Sequence, residues 1–315
     1  MNIRKTDPLL TPFQLKNLTL KNRIMSTSHA CGLGDENHMP SEVYQAYHVA
    51  KARGGLALTM FGGSSYVSED SKWSSGQLSI ATDKVIPYLQ KFAERVHLEG
   101  AAIMIQITHL GRRAETNTQG WMPTLAPSPL RERGHRSIPR QIDRDDMNRI
   151  IKEFGDAAVR CKEGGLDGLE VMTHGHLIGQ FFSPDTNKRE DDFGGSVENR
   201  ARFGLLVMEE IRSRVGDEFI IGMRYAVDEG VNGGQDFDDC VAVLKQFEVR
   251  GLVDFINANY GRVDTELALV RDCMPGMQER QAPWLKSAAA FKRDINIPVF
   301  HAAKINDIAT ARYAI

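Results

Sequence analysis

Asp167-Gly-Leu-Glu-Val-Met-Thr-His-Gly-His-Leu-Ile-Gly-Gln-Phe-Phe-Ser-Pro184, continuing through Asn187-Lys-Arg-Glu-Asp-Asp-Phe-Gly-Gly-Ser-Val-Glu-Asn-Arg200, decides the fold. A short apolar run, Leu166 to Met172, ends in two histidines, His174 and His176. A long polar loop follows, turned by Gly194-Gly195, and Ser196 then caps a helix. A strand that ends in titratable groups and hands over to a loop and a helix puts chemistry on the C-terminal face of a β/α barrel.

The same unit recurs on both sides of this stretch. Upstream, residues 11–22 alternate apolar and polar around Lys16-Asn17 and read as a short hairpin. Arg23 to His29 is a first strand, followed by a helix from Ser41 to Arg53 that Gly54-Gly55 stops. Leu56 to Phe61 and Ala101 to His109 are continuous apolar runs of strand length, as buried parallel strands are. Helices are predicted over Val85–Glu99, and from the Asp143 cap to Gly164. Downstream come a helix over Ser196–Val215, a strand over Phe219–Tyr225, a helix over Asp236–Arg250, a strand over Phe255–Tyr260, a helix over Trp284–Asp294, a strand over Ile297–His301 and a helix opened by Asn306. Residues 111–142, rich in Arg, Pro, Ser and Thr, are long for a βα loop, and such loops are usually functional or disordered.

This pattern is α/β, a TIM (β/α)8 barrel with an N-terminal hairpin. It holds seven strand-plus-helix units. The missing eighth strand implies a truncated fragment or an incomplete gene model; the alternative is a count off by one. The 315 residues are read as one domain, since such a barrel takes roughly 250.

A hydrophobic content of 42% and a charged content of 25% belong to an ordinary soluble globular chain. A net charge of −2 gives no electrostatic reason to expect nucleic acid or an anionic membrane as partner. The start, Met-Asn-Ile-Arg-Lys-Thr-Asp, has no apolar signal segment, and no apolar run approaches the roughly 20 residues that span a bilayer. A cytoplasmic location is expected. The four cysteines, at 31, 161, 240 and 273, have no CxxC spacing and read as free thiols.

The polar residues at the strand ends should converge on one face: Ser26, Thr27 and Ser28; Gly62; Gln106; His174 and His176; Arg224; Asn257; and His301 with Lys304. Two histidines without a convincing third ligand make no metal site. Hydrogen-bond donors and a buried arginine suit a polar, electron-accepting ring and a phosphate. Each residue also has a plainer reading. Gln106 could satisfy a neighbouring backbone group. Arg224 could pair with a core carboxylate such as Glu170. Either histidine alone could be structural, as His109 and Arg112 are expected to be, and the arginines at 131–140 read as a solvated face.

The motifs Leu20-Lys-Asn-Arg23, Gln106-Ile-Thr-His-Leu-Gly-Arg112, Gln180-Phe-Phe-Ser-Pro184 and Asn187 to Arg200 carry a resemblance across the whole chain. The chain resembles the old yellow enzyme / 2,4-dienoyl-CoA reductase family of flavoproteins. Within it, the chain is most similar to the branch of trimethylamine dehydrogenase and the N-methylproline and dimethylglycine demethylases. The resemblance implies FMN at the top of the barrel, with Ser26, Thr27 and Ser28 along the flavin edge, Gln106 on its pyrimidine side and Arg224 near N1 and O2. Gly62 would also border the cofactor, and Ala303 and Lys304 would approach its phosphate. Other phosphate contacts belong to the family's strand 8, which is lacking here. His174 and His176 are the implied catalytic pair, and Phe61, Asn257 and Tyr260 the implied substrate contacts.

The central stretch departs from the family. Reductases carry His-x-x-His or His-x-x-Asn and then Gly-Tyr, the tyrosine giving a proton; here the segment is one residue shorter. His174 matches the second member of the pair, and His176 stands at the tyrosine's place. The cysteine that tethers flavin in trimethylamine dehydrogenase corresponds to Ala30, so FMN is expected to be non-covalent. The 4Fe-4S cluster and the FAD/NAD(P) dinucleotide region found beyond the barrel in that branch are expected only in a longer protein. The expected function is FMN-dependent removal of a hydride from an N-methyl or amine carbon of a small methylated substrate, a homo-oligomer being possible. The alternatives are NAD(P)H-dependent reduction of α,β-unsaturated carbonyls or 2,4-dienoyl-CoA, and a non-catalytic remnant.

Overall fold

The computed structural model describes residues 7–73, 76–115 and 122–315. The opening residues 1–6 and part of the long loop, 116–121, lie outside the described residues. The chain begins with an antiparallel hairpin, β1 (Phe13–Leu15) and β2 (Leu18–Leu20). Seven parallel strands follow in one sheet, in the order β3 (Met25–Ser26), β4 (Leu58–Tyr66), β5 (Ala102–Thr108), β8 (Gly168–Met172), β9 (Ile220–Ala226), β10 (Phe255–Asn259) and β11 (Val299–His301). Two short strands, β6 (Leu125–Ala126) and β7 (Arg140–Gln141), pair inside the long loop.

The connecting helices are α1 (Glu42–Arg53), α2 (Ile86–His97), α3 (Arg144–Glu163), α5 (Val197–Val215), α6 (Phe237–Glu248) and α8 (Leu285–Asp294), with α9 (Ile308–Tyr313) last. Two α-helices were not predicted, α4 (Leu177–Phe182) and α7 (Glu266–Ala268), the second running into a π-helical turn at Leu269–Cys273, nor were the strands β6 and β7. Ser41, Asp143, Ser196 and Asp236 each accept a first-turn N–H, so the predicted caps form, the second as a full capping box.

Strand alternation divides the core in two. Leu58, Met60, Met104, Ile220 and Phe255 form one cluster with Leu15 and Leu20 of the hairpin, which therefore covers one end of the sheet's inner face. The helices bury the other face against residues such as Phe61, Ile103, Ile105, Leu169 and Ile221. Consecutive parallel pairing with helical crossovers is the architecture of a TIM-type barrel, and among the described residues it has seven staves, with β3 and β11 at the edges. No helix of the described residues is long and apolar enough to cross a membrane.

Candidate active site

The inner face delivers one polar side chain from each of several strands to the same place. In register, Gln106 stands opposite Glu170 and Arg224 opposite Asn257. Glu170 is fully buried and is the hub. Its Oε1 accepts from Gln106 Nε2 at 2.6 Å, and its Oε2 accepts from Asn257 Nδ2 at 2.8 Å. Ser28 Oγ lies 3.5 Å from Oε1, and Arg224 Nε lies 3.2 Å from it. Arg224 Nη2 donates to Ser28 Oγ at 3.0 Å and to Thr27 Oγ1, which also accepts from Asn257 at 3.1 Å. The pairing of Arg224 with Glu170 weighed from the sequence is therefore real, and it does not remove Arg224 from the convergent set.

Two observations show that these residues suit a flavin. Arg224 Nε is buried and off the axis of a hydrogen bond, so its N–H is left without an acceptor. The Thr27 and Ser28 hydroxyls, the Gln106 amide and the Arg224 guanidinium also form a compact polar set on one face, which is what a ring with several polar atoms requires. Gln106 is clamped at both ends, because Ser64 N–H donates to its Oε1 at 2.9 Å. Ser26 Oγ accepts from Lys51 Nζ at 2.9 Å. Gly62 donates its N–H to the Tyr44 hydroxyl at 2.8 Å, where the β4–β5 register shifts. Ala30 and Cys31 line a cleft of about 110 Å³ together with Gly62 and Gly63.

The histidines differ in what they have left to offer. His174 faces the carbonyl of Gly261 through Nε2 at 2.8 Å and Asn259 Nδ2 through Nδ1 at 3.2 Å. The carbonyl can only accept, so Nε2 carries the proton and Nδ1 accepts; both nitrogens are committed. His176 bonds Thr108 Oγ1 through Nδ1 at 2.8 Å, and among the described residues Nε2 has no partner. Burial pushes His174 down to about 4. Burial, then the positive charge of Arg113, hold His176 well below the usual imidazole value. Both rings are neutral at physiological pH.

Several expectations change. Phe61 does not line the bowl. It shares a strand face with Thr59, which bonds His48, and its ring packs 4.8 Å from Phe92 and 6.3 Å from Tyr44 in the helix layer. Tyr260 stacks on Trp284 at 3.7 Å, beyond the end of β10. Asn257 belongs to the Glu170 hub. Lys304 spends its ammonium on the carbonyls of Gly276, Met277 and Glu279, while Ala303 and Lys304 both hold left-handed backbone. Among the described residues no cluster of three or more His, Cys, Asp or Glu is arranged for a metal ion.

Sequence reasoning missed Glu170 as a site residue, and also Asn259, Thr108 and Arg113. The signal for Glu170 was present: a carboxylate inside an apolar strand must find partners. Arg113 is mostly buried and fixed by Nη1 to the fully buried Glu132 at 3.1 Å. Its other guanidinium nitrogens have no partner among the described residues.

These buried imidazoles give the fold a pH dependence. His48, pushed down to about 3 mainly by burial, and His174, at about 4, stay neutral when folded. In the unfolded chain each takes a proton near pH 6.5. Their contribution is fully present above that pH and is lost as pH falls towards the folded values. Together they remove about 3 kcal/mol between pH 6.5 and 5. Burial raises the Glu229 carboxyl, which acts in the opposite sense and softens the slope. Thermal melts at pH 7 and pH 5 should show a clearly lower Tm at pH 5; equal values would contradict the buried, neutral assignment.

The comparisons agree with this geometry. The model of the NADH:flavin oxidoreductase / NADH oxidase family matches residues 8–307. The chain is 53% identical over 315 residues to a multifunctional alkene reductase/demethylase of Caballeronia cordobensis, covering 100% of this chain and 46% of the relative. It is 47% identical over 309 residues to a probable N-methylproline demethylase of Rhizobium meliloti strain 1021, covering 98% and 45%. Among solved structures, a 2-naphthoyl-CoA reductase complex superposes with a TM-score of 0.91 at 26% identity, over 98% of this chain and 48% of that one. The chain thus spans just under half the length of the curated relatives it matches. With the family model covering nearly the whole chain, and the donor set, the paired arginine and the strand-end histidines gathered on one face, the chain belongs to the NADH:flavin oxidoreductase / NADH oxidase family, whose members use FMN.

Proposed function

We propose that this chain is one FMN-binding barrel domain of an oxidoreductase that removes a hydride from an N-methyl or amine carbon of a small methylated amino acid or amine. FMN, when bound, accepts the hydride. Ala30 at the position of the family's tethering cysteine supports non-covalent FMN.

The carrying observation is His176. It stands where a reductase would keep its proton-donating tyrosine, and it is held unprotonated. The N–H of a neutral imidazole is a weaker acid than a phenol, so the ring is a poorer proton donor for enone reduction than the tyrosine it replaces. Amine oxidation needs the reverse: a substrate nitrogen stripped of its proton, so that its lone pair can expel the hydride. The burial and the Arg113 charge that keep His176 neutral act in the same direction on a substrate ammonium. A substrate that enters as the free amine has already lost that proton, and the open Nε2 edge of His176 can hydrogen-bond the neutral group beside it. Asn259 and the Gly261 carbonyl hold His174, which positions the loop beside it. Hydride loss from R2N–CH3 and addition of water release R2NH and formaldehyde. Protein loaded with FMN, given dimethylglycine and an artificial electron acceptor, should therefore release formaldehyde. No formaldehyde from dimethylglycine, N-methylproline or trimethylamine would overturn the reading.

Arg113 narrows the substrate to one that carries a carboxylate. The buried Glu132 fixes one end of its guanidinium and leaves the other able to donate. Charge-assisted hydrogen bonds to a carboxylate contribute about 1.5–3 kcal/mol. Arg113→Leu should raise KM for N-methylproline by about ten- to a hundredfold, with KM for trimethylamine nearly unchanged. An equal change for both would remove Arg113 from substrate recognition. NAD(P)H-dependent reduction of an unsaturated carbonyl is the second reading, favoured by the double name of the Caballeronia relative.

A further inference from the structure

We propose that Glu170 sets the reduction potential of the bound FMN by partly neutralising Arg224. The two side chains are within 3.2 Å, and Glu170 is fully buried, so solvent does not screen the pair. Four groups, from three strands and the segment after β3, converge on this one carboxylate: Gln106, Arg224 and Asn257, and Ser28. No solvent-exposed function explains a carboxylate there. A neutral amide here would keep one acceptor oxygen and turn an NH2 toward either Gln106 or Asn257, so Glu170→Gln removes the charge together with one of these two hydrogen bonds.

The charge has a consequence that an amide would not. Two-electron reduction of FMN with uptake of one proton adds one negative charge to the ring. A fixed cation favours that charge and raises the potential; a carboxylate beside the cation opposes it and lowers the potential. A unit charge several ångströms away, at an effective dielectric near 20, changes such an equilibrium by about ten- to a hundredfold. For a two-electron couple that is about 30–60 mV. Glu170 is thus a positioning residue for Arg224 and Gln106 whose own charge tunes the cofactor's potential.

The test is the midpoint potential of FMN in the loaded protein, with dissociation constants for oxidised and reduced FMN measured alongside. Glu170→Gln should raise the potential by about 30–60 mV, and should bind reduced FMN at least as tightly as the unaltered protein does. Glu170→Asp keeps the charge and should leave the potential close to the original. An unchanged potential in Glu170→Gln overturns the proposal. So does an equal rise in both variants, which would mark a packing effect. A Glu170→Gln protein that binds neither redox state also overturns it, because an uncompensated Arg224 should hold the reduced ring more firmly.

Discussion

His176→Ala should keep FMN bound and slow flavin reduction by an amine substrate by about a hundredfold or more. Among the described residues the ring makes one hydrogen bond, with Thr108, and none to the Glu170 hub, so its loss leaves the hub intact. On the proposed reading, what disappears is the open nitrogen that would hold the amine. His174→Ala should behave differently. Both of its nitrogens are bonded to the protein, so its removal leaves the Gly261 carbonyl and the Asn259 amide unsatisfied. That substitution should destabilise the fold by about 1–3 kcal/mol and act on turnover only through the loosened loop. Rapid mixing under anaerobic conditions, read as the rate of flavin bleaching, separates the two. If His176→Ala reduces as fast as the unaltered protein, the amine is held elsewhere.

Gly179→Ala carries the second large effect. Gly179 lies in the first turn of α4, directly after the histidines. A Cβ there would fall 1.8 Å from the carbonyl oxygen of Thr173, which is backbone and cannot rotate aside. Either α4 or the end of β8 must move, and both carry the site. Overpacking of this kind costs about 3 kcal/mol, which lowers Tm by several degrees in a domain of this size. The shift should also displace His176. A calorimetric scan, with the bleaching rate measured beside it, should show both losses; a melt equal to the unaltered protein's would show that the turn has room the distances deny.

Much of this was legible in the residues because parallel strands are covered on both faces. Leu56–Phe61, Ala101–His109 and Phe219–Tyr225 read as strands by their unbroken apolar runs, and the intervening helices by their caps. The convergence of Thr27, Ser28, Gln106 and Arg224 followed from counting strand ends. The same covering hid other features. When both faces are apolar, the sequence does not say which face a residue takes. Phe61 went to the helix layer with Thr59, and Glu170 was set aside as a possible partner of Arg224 when it is the centre of the site. Gly62-Gly63 was read as the end of a strand, yet β4 passes through it with a shift in register and continues to Tyr66. The helix α4 is buried on every side, so it has no amphipathic period to reveal it. Arg113 sits beside Arg112 and pairs with Glu132, nineteen residues later, a contact that no local pattern announces.

The most direct measurement of the central claim is the colour of the FMN-loaded protein under anaerobic conditions when N-methylproline or dimethylglycine is added without NAD(P)H. Amine oxidation predicts that the flavin absorbance bleaches with the amine alone, and that formaldehyde appears in step with it. A flavin that stays yellow with every N-methyl amine, but is bleached by NADH or NADPH and recovers its colour on addition of an enone, would contradict the account.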